Sequence, residues 1–376
     1  MFVDIHILQS VPPSNLNRDD TGSPKTAMYG GVMRARVSSQ AWKRAVRKSY
    51  ESKLDRSDLG VRTKRAIELL VERMQAKDDT VSTEVAQQKA IAVFKALGMK
   101  VDEKKTKTQQ KAIDADAAGT SYGTTQYLVF WSNPQLDQLA DLALSSAEKV
   151  DARAAKAAAD AGHGIDVALF GRMVADAADL NVDAAVQVAH ALSTHAVTPE
   201  QDYYTAVDDT NPEEETGAGM IGTIEFSSAT LYRFATINVP GLRKNLGDTE
   251  ATVRAVEAFV DGFATSMPTG KQNTFANRTV PDAVLVCLRE DQPVSLVGAF
   301  EEAVVSDNGF LRASTERLAK EYNDVGRFLG PSIATLLARS SDRTAALDDI
   351  VPARPLAEVV HEVGARVRAS LASAGS

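Results

Sequence analysis

The sequence holds a single cysteine, Cys287, among 376 residues, which excludes a disulfide within the chain and a cysteine-based zinc site. Cys287 falls in the apolar run Val284-Leu285-Val286-Cys287-Leu288 and reads as a buried thiol. Long hydrophobic runs are missing too: charged and polar residues break each one well before the ~20 residues that a membrane-spanning helix needs. The opening Phe2-Val3-Asp4-Ile5-His6-Ile7-Leu8 lacks the basic start of a signal peptide and reads as a first strand, so a cytoplasmic protein with no membrane partner is expected. One absence is local. The chain is acidic, with net charge −8 and 50 Asp and Glu, yet there is none between Thr21 and Tyr50, where average density would place about four.

Positive charge fills that window: Lys25, Arg34, Arg36, Lys43, Arg44, Arg47 and Lys48. A solvated basic face and a phosphate-binding surface both fit the composition. The spacing favours the second. Met33, Ala35 and Val37 alternate with Arg34, Arg36 and Ser38 at strand period, which puts both arginines on one side. Ser38 or Ser39 then caps a helix from Gln40, with Trp42, Ala45, Val46 and Ser49 as its buried stripe and Gln40, Lys43 and Arg47 on another side. A helix N-terminus with unpaired amides, flanked by Lys and Arg, suits an anion.

The segments Leu16-Asn17-Arg18-Asp19-Asp20, Tyr29-Gly30-Gly31, and Arg36-Val37-Ser38-Ser39-Gln40 with Lys43-Arg44 resemble CasC, the backbone subunit family of the type I-E CRISPR Cascade complex. Similar stretches follow in the family's order: Gly164-Ile165-Asp166-Val167-Ala168-Leu169-Phe170-Gly171-Arg172-Met173, Ala189-His190-Ala191 with Thr194-His195, Thr205-Ala206-Val207-Asp208-Asp209, Gly222-Thr223-Ile224-Glu225-Phe226-Ser227-Ser228, and Lys271-Gln272. Residues 55–160 and the last 60 match least. The resemblance implies a non-catalytic subunit, with no cofactor, that oligomerises along a CRISPR guide RNA (crRNA) beside other Cascade subunits and meets target DNA through the guide. It assigns guide contacts to Lys25, Ser38, Gln40, Lys43 and Arg47, with Arg47 in place of the lysine common there. Tyr203, Tyr204 and Ile221 match the apolar side chains of a thumb loop, and Met173 a residue wedged at a displaced nucleotide.

Periodicity gives strands over 2–9, 31–38, 165–170, 223–238 and 283–289, helices over 40–52, 183–193 and 248–265, and a long helical region over roughly 60–160. The fold class is α+β. The order matches the ferredoxin-like split pattern of RNA-recognition-motif domains, and the resemblance implies a ferredoxin-like/RRM-like palm with an inserted helical fingers domain and a thumb loop. The expected organisation is palm 1–57, fingers 58–163, palm 164–194, thumb 195–222 and palm 223–376. No RNP1-type aromatic motif is present, so phosphate contacts and loops carry more of the binding. On an Ala-rich helix over 147–161, Lys149, Arg153 and Lys156 fall at i, i+4 and i+7, a candidate contact to target DNA.

Three other patterns are weighed. Gly217-Ala218-Gly219-Met220-Ile221-Gly222 fits G-x-G-x-x-G but follows an acidic loop and precedes a β-rich run, the wrong setting for a dinucleotide. His190 and His195, placed on one helix, diverge by roughly 140° and make a poor metal pair. Asp208 and Asp209, with Glu213, Glu214 and Glu215, define the alternative function, a metal-dependent endoribonuclease using thumb-loop carboxylates.

Overall fold

The computed structural model describes residues 1–102, 122–146, 149–206 and 220–374. The chain forms two compact units, Met1–Tyr50, Val186–Val239 and Val256–Ser376 in the first, and Glu51–Ala185 with Pro240–Ala255 in the second. The class is α+β.

The first unit is built on a sheet of β1 (Phe2–Ser14), β2 (Thr26–Tyr29), β3 (Val32–Val37), β4 (Val186–Val188), β5 (Ala191–Ser193), β6 (Glu200–Ala206), β7 (Met220–Asn238), β8 (Ala283–Arg289) and β9 (Ala334–Arg339). Its order is β9-β8-β1-β7-β5-β3-β2, with β4 and β6 also pairing β7, and these pairings are antiparallel. β1 is central. Its residues from Val3 to Gln9 are buried on both faces, so the polar members of the strand, Asp4, His6 and Gln9, lie inside as well. The β1–β7 register slips between Val11 and Ser14, where Pro12 and Pro13 have no N–H to give the ladder.

Each face of the sheet carries its own cover. On one, Leu8, Tyr232, Phe234, Leu285 and Cys287 pack with Leu296, Phe300, Val304 and Leu318, which come from the segment before, and from, the helix Leu311–Leu329. On the other, Arg233 lies opposite Ile7 and its guanidinium sits 3.7 Å from the ring centre of Trp42 and 4.6 Å from that of Phe263. Trp42 belongs to α1 (Ser39–Ser49) and Phe263 to the helix Thr249–Thr265. Two aromatic side chains thus fix α1 to the sheet through a buried cation.

The second unit has a core of its own. Helices Ala66–Lys77, Thr83–Ala96, Asn133–Ser145 and Ala152–Asp160 bury Leu70, Phe94, Trp131, Leu136, Leu139 and Ala155 together. Arg172 is buried among them, donating to Leu180 O at 2.8 Å and Ala159 O at 3.0 Å.

Within the region read as helical over roughly 60–160, Gly60–Thr63 pairs antiparallel with Val129–Ser132 between the helices, and two further segments exchange helix and strand. Residues 165–170 form a helix, Ile165–Phe170, in place of a strand. Ile165 to Leu169 are all buried, and an apolar run buried on every side has no period to separate strand from helix. Residues 183–193 form β4 and β5 in place of a helix, because pairing of Val186–Val188 and Leu192–Ser193 with β7 overrides the helical preference of an Ala-rich run.

Candidate nucleic-acid interface

The acid-free window folds into a hairpin and a helix. β2 and β3 meet at Gly30-Gly31, both with positive φ (59° and 77°), the two-residue turn whose twist suits antiparallel strands. β3 feeds directly into α1. Ser38, in extended conformation, caps α1 by accepting from Ala41 N at 3.3 Å, and its own amide donates to Asn17 Oδ1 at 2.8 Å. Asn17 O also accepts from Lys25 N at 2.9 Å, and Lys25 O from Arg36 N at 2.8 Å. The loop 15–25, the hairpin and the helix start are therefore laced at one point.

His190, in the link between β4 and β5, reaches that point as well. Its Nδ1 lies 3.3 Å from Arg36 Nη1 and accepts from Ser39 N at 3.4 Å. Burial, then the charges of Arg36 and Lys25, hold its imidazole below the ordinary value, so the neutral ring accepts bonds in this basic corner. Further along α1, Lys43 is half-buried and burial lowers its pKa. Among the described residues it has no carboxylate partner. Gln40 is exposed, and Arg47 is half-buried with contacts of its own.

Not every base in the window faces outward. Arg34 is fully buried and donates to Tyr29 O, Ser193 O, Phe300 O and Glu301 O at 2.9 to 3.2 Å. It is a clamp on backbone carbonyls. Arg36, although it shares a strand side with Arg34, is half-buried, with Nε on Thr26 O at 3.1 Å.

Tyr203 and Tyr204 lie on β6, opposite Thr223 and Gly222 of β7. They are 73% and 50% exposed and, as neighbours on a strand, point to opposite sides of a two-stranded ribbon. The Tyr204 ring lies against Gly222, where an added Cβ would stand 2.5 Å from its Cζ and Oη. Ile221 pairs with Thr205 in the same ribbon. Asp208, Asp209 and Glu213 to Glu215 fall outside the described residues, as do Gly217 and Gly219.

The other assigned residues belong to the second unit. Met173 is 81% exposed just past Gly171, whose φ of 78° ends the helix Ile165–Phe170. The basic stripe is shorter than the sequence implies. Asp151 Oδ1 accepts from Ala154 N at 2.8 Å and starts the helix at Ala152, so Lys149 precedes it. Arg153 is exposed on that helix, and Lys156 is paired with Asp179 at 2.6 Å. The two histidines share no helix, and no group of three His, Cys, Asp or Glu among the described residues is placed to hold a metal ion. His195 stacks on Phe310 at 3.6 Å and accepts from Thr230 N at 3.1 Å, a packing role. Among the described residues no helix is long and apolar enough to cross a membrane.

The sequence reading of the interface passed over Asn17 and His190. Both stand in motifs it quoted, but only the tertiary structure brings position 190 to the start of α1.

Residues 3–361 match the family described as "CT1975-like protein". A search of curated protein sequences returned no match. Among solved structures, a chain of a "CRISPR RNA-guided surveillance complex, pre-nicking" is 31% identical and superposes with a TM-score of 0.82 over 98% of this chain and 100% of that one. A chain of a "CRISPR RNA-guided surveillance complex" is 27% identical, with a TM-score of 0.72 over 97% of this chain and 100% of that one. The fold of those chains and the CasC-like motifs point the same way, and the match over residues 3–361 establishes that the chain belongs to the CT1975-like protein family.

Proposed function

We propose that this chain is a non-catalytic, crRNA-binding backbone subunit of a CRISPR surveillance complex of the type I-E Cascade class, several copies of which line one guide RNA for recognition of target DNA. The observation that carries the reading is α1: a capped N-terminus bordered by Lys25, Arg36 and His190, followed by the half-buried Lys43, which among the described residues has no carboxylate partner. Burying a cation without a counter-charge costs free energy, and a phosphate supplies that charge.

Sheet geometry supports phosphate over base recognition. The neighbours β8-β1-β7 with β4 and β5 follow the 4-1-3-2 order of a ferredoxin-like palm. RRM domains stack bases on aromatics of the open sheet face. Here the aromatics on that face, Tyr232 and Phe234, are buried, with Tyr232 Oη accepting from Leu296 N at 3.0 Å and its ring 5.2 Å from that of Phe300. With the face covered, the guide runs over the helix start and leaves its base edges to pair with DNA. Tyr203 and Tyr204, on a ribbon exposed on both sides, suit the thumb role of stacking against a neighbour's guide segment, worth roughly 1–3 kcal/mol per base. Met173 suits the wedge.

The test is fluorescence anisotropy with a labelled single-stranded RNA across a salt series. Lys43→Ala with Arg47→Ala should lower the slope of log affinity on log salt by about 0.7 per lost phosphate contact. An unchanged slope would move the RNA path off α1. RNA cleavage requiring Mg²⁺ would refute the non-catalytic reading.

A further inference from the structure

A second row of cations on α1 remains outside those contacts. Arg44 and Lys48, one turn apart, lie about 100° around the helix from Lys43 and Arg47. They face a cavity of about 370 Å³ closed on its far side by the loop Ser266–Gly270 and by Arg278. Among the described residues no acid lines it. Arg44 and Arg278 are exposed, and neither has a carboxylate partner there; Arg278 reaches only Thr265 O, at 3.4 Å. Ser266, at the end of the helix Thr249–Thr265, is 5% exposed, and among the described residues its Oγ has no hydrogen-bond partner.

The cavity continues toward the helix start. It shares Leu16 and Gly270 with an open depression along Asn17–Gly22, and that depression shares Leu16 and Asn17 with a narrow cleft at Lys25 and Arg36. Two carboxylates line the depression: Asp19 is turned into its own loop, its Oδ1 accepting from Thr21 N at 2.9 Å and Ser23 N at 3.0 Å, and Asp20 beside Arg18 is exposed. Gly270 keeps the passage narrow, since a Cβ there would stand 2.3 Å from Leu16 O.

We infer that the cavity between α1 and the 266–270 loop is a second phosphodiester site, held by Arg44 and Arg278, through which the RNA backbone leaves the helix start. This rests on the guide-RNA reading above and adds to it a direction for the strand within one subunit. Two forked cations facing each other across a cavity suit an anion with several oxygens, and a backbone phosphate also brings the sugar that fills the remaining volume.

The experiment compares four proteins in the RNA salt series: the unaltered chain, Lys43→Ala/Arg47→Ala, Arg44→Ala/Arg278→Ala, and Arg312→Ala/Arg354→Ala, which removes two exposed charges elsewhere. Loss of two phosphate contacts lowers the slope by about 1.4, so between 50 and 200 mM salt the Arg44/Arg278 variant should lose ~7-fold less affinity than the unaltered chain does. The Arg312/Arg354 variant should keep the full slope. A lowered slope for Lys43/Arg47 with a full slope for Arg44/Arg278 overturns this inference and leaves the guide-RNA reading standing. No RNA binding by the unaltered chain sinks both, and equal losses in the Arg44/Arg278 and Arg312/Arg354 variants would reduce the effect to net charge and overturn the site.

Discussion

Gly30 and Gly31 share one turn and differ sharply in what surrounds them, which makes them a test of how the hairpin is held. An alanine at Gly31 meets nothing within 4 Å, so Gly31→Ala carries only the cost of a left-handed conformation, about 1–2 kcal/mol. An alanine at Gly30 carries the same cost, and its Cβ would lie 1.6 Å from Glu301 O. That carbonyl is also an acceptor for Arg34, at 3.1 Å, next to Phe300 O at 2.9 Å. Displacing it strips bonds from a fully buried guanidinium, at about 1–3 kcal/mol for each donor left unpaired. Gly30→Ala should therefore cost about 3–5 kcal/mol in total. At roughly 2–4 °C per kcal/mol for a unit of this size, the melting temperature should fall by roughly 6–20 °C, against roughly 2–8 °C for Gly31→Ala. Thermal denaturation followed by circular dichroism separates the two. Equal losses would refute the close approach of the turn to Glu301 and the clamping role of Arg34.

Three further outcomes follow from single sites. A phosphate at the start of α1 raises the His190 pKa from the depressed value set by burial, Arg36 and Lys25; RNA affinity should then climb as pH falls through the value in the complex toward that of the free chain, and His190→Asn should flatten the curve. Affinity independent of pH between 5 and 8 in the unaltered chain would count against a phosphate there. Asp4 is buried on β1, with Oδ2 accepting from Val294 N at 2.8 Å, and burial pushes its carboxyl up to about 6. Because the folded value is raised, stability declines as pH climbs from about 4 to about 6; Asp4→Asn should remove that decline and be more stable at pH 7.5, by up to about 3 kcal/mol, and a less stable variant in denaturant titration would contradict it. Gly222→Val should push the Tyr204 ring off the ribbon and leave the melting temperature nearly unchanged, because this pair lies outside the core. Regular assembly on RNA, seen by electron microscopy, should be lost, and normal assembly would remove the ribbon from the interface between copies.

The strands over 2–9, 31–38 and 223–238 and the helices at 40–52 and 248–265 were legible because each carries a period or cap, and the strand at 283–289 because its apolar run is too short for a helix. The 165–170 and 183–193 segments exchanged helix and strand for the reasons their burial shows: one has no period, and the other takes its conformation from β7. The window of positive charge was legible as composition, but its division was not. Arg34 and Arg36 sit on the same strand side, yet Arg34 lies where Ser193, Phe300 and Glu301 converge, a meeting of segments about 160 and 270 positions away that no local pattern encodes. His190 could be found only once β5 was known to pair with β3, through Arg36 opposite Leu192. Lys149 was misplaced by one cap: Asp151 starts the helix two residues after it.

The central claim is that copies of this chain line up along RNA, and the most direct measurement is the mass of the complex formed on single-stranded RNAs of increasing length, read by light scattering after size-exclusion chromatography. The account predicts that the number of bound chains grows in even steps with RNA length and that the steps vanish in the Lys43→Ala/Arg47→Ala variant. A fixed number of chains per RNA at every length, or growth that survives the variant, would contradict it.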